Sequence, residues 1–158
     1  MRPARIPIGL QLTQASRAVS RAFDDALAAA GGSLPVWLVL LCLTTRSLAS
    51  QRELAEAMGI REATLTHHLT AMESAGLIAR RRAAANRRVQ IVELTPAGDE
   101  LFGRLRGIAV SFDQQVRRGV SAAEIAALED VLGRLAANVD AAPAGGPPWT
   151  TLADTVTG

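Results

Sequence analysis

SQRELAEAMGIREATLTHHLTAMESAG, residues 50–76, is the stretch on which the reading of this chain turns. Ser50 followed by Glu53 is a capping-box pattern, in which each side chain satisfies a free backbone N–H at the start of a helix. Leu54, Ala57 and Met58 mark the apolar face of that helix, and Gly59 ends it, because glycine takes the left-handed cap conformation at little cost. After a short turn a second stripe runs through Leu65, Leu69 and Met72 and stops at Gly76. Two short helices around a tight turn make a helix-turn-helix. If Leu65, Leu69 and Met72 face a core, then Thr64, His67, His68 and Ala71 lie on the opposite face. Hydroxyls, imidazoles and a small residue on an open face suit the major groove of DNA, where Thr and His reach base edges or phosphates and Ala approaches a thymine methyl.

Downstream, Leu77–Arg82 and Val89–Leu94 read as two short strands joined by the loop Ala83–Arg88, a β-hairpin. The formal net charge of the chain is only +2, but all 17 basic residues are arginine and they are unevenly placed. Ser74 to Val92 holds Arg80, Arg81, Arg82, Arg87 and Arg88 with no acid, whereas Pro96 to Asp140 holds seven acids against five arginines. A basic hairpin beside an open helix face is the footprint of a phosphate-binding surface. Arg80–Arg82 would serve the backbone, and Arg87 and Arg88, beside the tip, could enter a narrow minor groove.

Upstream, Ile8, Leu12, Ala15, Val19, Phe23 and Leu27 recur at helical spacing, and Gly31-Gly32 ends that helix. Pro35 suits the first turn of the next, through Trp37, Leu38, Leu41 and Cys42, which is apolar nearly all round and so expected to be buried. Beyond the hairpin, Thr95-Pro96 opens a helix striped by Leu101, Leu105, Ile108, Phe112 and Val116. Ser121–Glu124 is a second capping box, leading into Ile125, Leu128, Leu132, Leu135 and Val139. The fold class expected is mainly α with a small β wing. One domain is expected over residues 1–140, with long helices near 6–30 and 97–140 and the winged helix-turn-helix near 35–95. Residues 141–158, rich in proline, glycine and small side chains, are expected to be a disordered tail.

Other classes of function find little support. The longest apolar run, Leu34 to Leu43, is too short to span a bilayer, and no signal-peptide pattern opens the chain, so a cytoplasmic protein without membrane partners is expected. One cysteine, Cys42, excludes an internal disulfide and a cysteine-built zinc site, and a buried thiol without a nearby cation is normally inert. His67 and His68 point about 100 degrees apart on a helix, a poor arrangement for one shared ion. There is no glycine-rich phosphate loop and no nucleophile elbow. No enzyme, no cofactor and no metal is expected.

Three fragments in this order, Gly59 to Leu69, Met72 to Ile78 and Asn86 to Gly98, resemble the MarR family of bacterial transcription regulators, over roughly Ile8 to Asp140. The resemblance implies a homodimer with two winged helix-turn-helix lobes and a bundle of terminal helices holding Leu12, Val19, Leu128, Leu132 and Leu135. It implies that Thr64, Thr66 and His67 reach the major groove and Arg88 the minor groove. The full DNA-contacting set expected is Ser50, Arg52, Thr64, Thr66, His67, His68, Arg80, Arg82, Arg87 and Arg88. By the same resemblance a small aromatic or phenolic effector would sit near Phe23, Trp37, Leu41 and His68 and release a repressor from a near-palindromic operator. Two positions depart from the family pattern: Asn86 stands where the wing usually has an aspartate, and Arg61-Glu62 replaces the usual cap of the second helix. The alternative function is a winged-helix module that binds protein and no DNA.

Overall fold

The computed structural model describes residues 6–45, 49–86 and 88–139. The chain runs α1 (Ile8–Ala29), α2 (Leu34–Thr45), β1 (Ala49–Ser50), α3 (Gln51–Met58), α4 (Glu62–Ser74), β2 (Ile78–Arg82), β3 (Gln90–Leu94), α5 (Pro96–Val116) and α6 (Ala122–Val139). This is the expected order of helices around a hairpin, with one addition, β1. The sheet order is β1-β3-β2, antiparallel throughout. Two residues of strand cannot display an alternation, so β1 leaves no pattern in the sequence. The hairpin strands are each one residue shorter than expected. Leu77 closes the turn after α4 by donating to the Met72 carbonyl at 3.0 Å, and Val89 belongs to the tip, donating to the Asn86 carbonyl at 2.9 Å. The expected tail, residues 141–158, lies outside the described residues, as does Arg87.

The helices begin and end where local chemistry directs. Ser50 and Glu53 complete the capping box of α3, with Glu53 N–H donating to Ser50 Oγ at 3.2 Å and Ser50 N–H to Glu53 Oε2 at 2.8 Å. Gly59, at φ 64°, closes α3 in the left-handed region. Ser121 and Glu124 repeat the device at α6. Asp24, ten residues upstream, accepts the Leu34 N–H at 2.7 Å and so ties the start of α2 to α1. Arg61, by contrast, makes no side-chain cap bond at α4, which leaves only Glu62 in the first turn to complement the helix dipole.

α2 is the hub of the core. Trp37, Val39, Leu40, Leu41, Cys42 and Leu43 are buried on all its sides, against Leu27 of α1, Leu101, Phe102 and Leu105 of α5, Leu54 and Met58 of α3, and Leu65, Leu69 and Met72 of α4. The junction between the lobe and α5 is especially close. Thr95 Oγ1 accepts the Gly98 N–H at 3.1 Å and donates to the Gly76 carbonyl at 2.7 Å, while Thr95 N–H donates to the Leu77 carbonyl at 3.2 Å. Gly98 packs directly on the Leu77 carbonyl.

The terminal helices behave differently. α6 has no buried residue, and Val19, Leu128, Val131 and Leu132 stay exposed at 44%, 50%, 39% and 41% in the single chain. Leu12 and Leu135 are half-buried. Among the described residues no single helix is long and apolar enough to cross a membrane.

Candidate nucleic-acid interface

α4 presents the face expected of it. Leu65 and Leu69 are fully buried and Met72 nearly so, while Thr64, Thr66, His67, Thr70 and Ala71 are exposed. His68 is half-buried, turned part-way to the interior, with its ring 6.0 Å from that of His67 and tilted 59° to it. Thr66 has neighbours that the sequence did not announce. Its Oγ1 donates to the Glu62 carbonyl at 2.8 Å and accepts from Gln51 Nε2, at the start of α3, at 2.6 Å. One turn later Thr70 Oγ1 donates to the Thr66 carbonyl at 2.9 Å and accepts from Arg80 Nη2 at 3.3 Å. Two hydroxyls one turn apart on α4 are thus each tied to a neighbouring element, α3 and β2.

The first helix of the pair offers less than its composition implies. Ser50 is engaged in its own cap. Arg52 is exposed but paired along the helix with Glu56 at 2.9 Å.

In the wing, the sheet register sorts the arginines. Arg80 pairs with Val92 and Ile78 with Leu94, so Arg80 falls on the face that also carries the buried Ile78 and Val92. Side chains alternate between faces along a strand, and a charged residue in that register needs a local partner. Glu73 supplies it: Arg80 Nη2 and Nε donate to Glu73 Oε2 at 2.6 and 2.9 Å, and Arg80 N–H to Oε1 at 3.2 Å. Arg81 lies on the other face and pairs diagonally across the strands with Glu93, Nη2 to Oε1 at 2.8 Å. Arg82 and Arg88 are exposed, and neither has an ion pair among the described residues. Asn86 Oδ1 accepts the Arg88 backbone N–H at 3.0 Å, so at this departure from the family pattern the acceptor shapes the tip backbone and has no guanidinium partner among the described residues.

The acid-free stretch Ser74–Val92 is therefore bounded by its own counterions. Glu73 and Glu93 flank it immediately in sequence, a signal that counting charge inside the window conceals. The Glu73 carboxyl is held below the ordinary carboxylate range by the hydrogen bonds Arg80 donates, with their mutual charge adding to this and partial desolvation opposing it. Glu93 is lowered in the same way by Arg81. A carboxylate depressed in the folded state contributes stability that is present above its unfolded pKa and is lost as pH falls through the folded value. The thermal midpoint of the protein is accordingly expected to fall on the acid side of the glutamate range more steeply than that of the Glu73→Gln, Glu93→Gln double variant. Parallel curves in a pH series of thermal melts would rule out any role of these pairs in anchoring the wing.

The residues proposed for an effector are partly brought together. The rings of Phe112, Phe23, Trp37 and Phe102 form a continuous row at the junction of α1, α2 and α5, with centroids 4.9, 6.5 and 5.3 Å apart in that order. Trp37 and Leu41, one turn apart on α2, are each 2% exposed, while Phe23 is half-buried. His68 stands on α4, and the ring neighbour it has there is His67. Phe102, outside the stripe expected for α5, was missed because it faces α2 from the flank of that stripe.

Comparison with known proteins gives one family. The model of the MarR family matches residues 33–89. An uncharacterised helix-turn-helix-type transcriptional regulator of Bacillus subtilis, YdgJ, is 34% identical over 91 residues, 58% of this chain and 56% of its own length, so the chain spans only about half of that curated relative. Among solved structures, the transcriptional regulator PA3341 is 38% identical, with a TM-score of 0.74 over 84% of this chain and 98% of that one. A mutant of MarR from E. coli complexed with operator DNA shares the fold at 21% identity, with a TM-score of 0.77 over 82% of this chain and 94% of that one.

Proposed function

Since this chain belongs to the MarR family of transcriptional regulators, we propose that it acts by binding double-stranded DNA sequence-specifically as a homodimer. The observation that carries the reading is the exposed face of α4 set beside a wing whose Arg82 and Arg88 have no counterion among the described residues. Unpaired guanidiniums gain most from phosphate, which exchanges a condensed counterion shell for them. Thr64, Thr66 and His67 would then read base edges, Arg88 the minor groove, and Arg82, with Arg52 released from Glu56, the backbone. Arg80 would act chiefly by holding the wing to α4, its guanidinium being taken by Glu73. Arg87, next to Arg88 in sequence, would join it at the minor groove.

The dimer is supported by the exposed apolar rows of α1 and α6, which need a covering surface of the same kind. A near-palindromic operator follows from two-fold symmetry, and binding of operator DNA is what the E. coli MarR structure describes for that protein. A role as a cytoplasmic repressor released by a small aromatic or phenolic effector rests on the family resemblance and on the aromatic row Phe112–Phe23–Trp37–Phe102, whose displacement would alter how α5 meets the DNA lobe.

The test is a salt-series titration of the purified protein against its own upstream DNA and a scrambled duplex. Preference for the upstream DNA with a steep salt slope is expected. Arg88→Ala should weaken binding and reduce the slope by about 0.9 for each phosphate that is no longer neutralised, or about 1.8 per dimer. No affinity for any duplex at low salt would leave the protein-binding module as the function.

A further inference from the structure

We propose that Thr66 selects thymine through its methyl group and not through its hydroxyl, with Gln51 as the residue that positions it. The proposal deepens the DNA-binding reading above and rests on it. A threonine hydroxyl has one proton to donate and two lone pairs. In Thr66 the proton goes to the Glu62 carbonyl at 2.8 Å and one lone pair accepts from Gln51 Nε2 at 2.6 Å. Both partners belong to the protein, one in the backbone of α4 and one at the start of α3. Together they hold the side chain in one of the two rotamers that threonine otherwise shares in a helix. Because the hydroxyl is the donor to Glu62, the Gln51 amide must present its N–H to Thr66. The cost of that orientation is visible, since Gln51 Oε1 is buried with no hydrogen-bond partner among the described residues.

With its proton committed, Thr66 cannot donate to guanine O6 or N7 or to thymine O4, the acceptors a hydroxyl would seek in the major groove. The residue is nonetheless exposed on the open face of α4. Its remaining lone pair can only accept, from adenine N6 or cytosine N4, and so offers thymine nothing; what Thr66 presents to thymine is the methyl, whose major-groove match is the thymine C5-methyl. Thr66 is then an apolar reader inside a polar face, and the Gln51 tie fixes the rotamer in which threonine presents its single methyl.

The test uses the full chain and a duplex enriched by it from a random-sequence library. Each thymine of the enriched site is replaced in turn by deoxyuridine, which removes only the C5-methyl. Wild-type protein is expected to lose roughly fourfold in affinity at one thymine per half-site, the worth of about one buried methyl. Thr66→Ser, which keeps the hydroxyl and drops the methyl, should start from the lower affinity and be indifferent to deoxyuridine there. Thr66→Val, which keeps a methyl and drops the hydroxyl, should retain the penalty. Thermal melts confirm that both variants fold. Wild-type indifference to every deoxyuridine overturns the proposal, and so does a Thr66→Ser protein that keeps the full penalty. So does the reverse pattern, with Thr66→Ser unaffected and Thr66→Val unable to discriminate, which identifies a hydroxyl reader. Failure to enrich any duplex removes the DNA-binding reading itself, and this proposal with it.

Discussion

Gly98→Ala is expected to destabilise the protein by about 3 kcal/mol or more, at or beyond the upper end of ordinary overpacking. A Cβ at position 98 would collide with the Leu77 carbonyl oxygen and stand 2.7 Å from Leu94 Cδ1. The leucine side chain can rotate away, but the carbonyl cannot. It belongs to the turn that closes α4, and it accepts the Thr95 N–H at 3.2 Å just before α5 begins. Relief therefore requires α5 to lift off the DNA lobe, which would also disturb the Thr95 bonds to Gly76 and Gly98. Gly103→Ala is the internal control. It lies in the same helix, a Cβ there meets nothing within 4 Å, and the change should stabilise by roughly 0.5–1 kcal/mol because alanine loses less freedom in a helix than glycine. Urea denaturation at one fixed protein concentration measures both. Similar midpoints for the two variants would mean that the packing of Gly98 on the Leu77 carbonyl is not a structural constraint.

Leu128→Asp combined with Leu132→Asp is expected to abolish dimerisation and to lower affinity for operator DNA by about 10²- to 10⁴-fold, the range over which joining two binding modules raises avidity. The two leucines lie one turn apart on α6, are 50% and 41% exposed in the single chain, and belong to a helix with no buried residue. Fully burying a leucine is worth about 1.5–3 kcal/mol, so covering these half-exposed ones is worth roughly half of that each, and a two-fold dimer would cover both in each protomer. Aspartates there confront like charges across the axis. The core of each lobe contains neither residue, so far-UV circular dichroism should be retained while sedimentation reports a monomer. A variant that remains dimeric would place the dimer interface elsewhere. A monomer with undiminished DNA affinity would refute the idea that two lobes act together.

Most of the architecture is legible in order along the chain because it is written in local chemistry. The Ser50–Glu53 and Ser121–Glu124 boxes, the Thr95-Pro96 start, and the left-handed glycines Gly31, Gly59, Gly76 and Gly119 act through residues a few positions apart. The stripes Leu65-Leu69-Met72 and Leu101-Leu105 state which face is buried, since helical period and burial share one geometry. The all-round apolar character of α2 states that it is the hub. These features lead to the same winged helix-turn-helix that the structure and the MarR relationship show.

The surface that would meet DNA was legible only as a set of candidates. Five arginines in an acid-free window look equivalent as a string. Strand register separates them, turning Arg80 toward Glu73 and Arg81 toward Glu93 while leaving Arg82 without an ion pair among the described residues. Likewise nothing in the separation of residues 51 and 66 announces that a glutamine amide fixes a threonine hydroxyl. Caps, turns and stripes depend on neighbours in sequence, and so they follow from the amino acids alone. Charge pairing and hydrogen-bond commitment depend on which chain segments meet in space, and only the packing of α3, α4 and the wing against one another decides that.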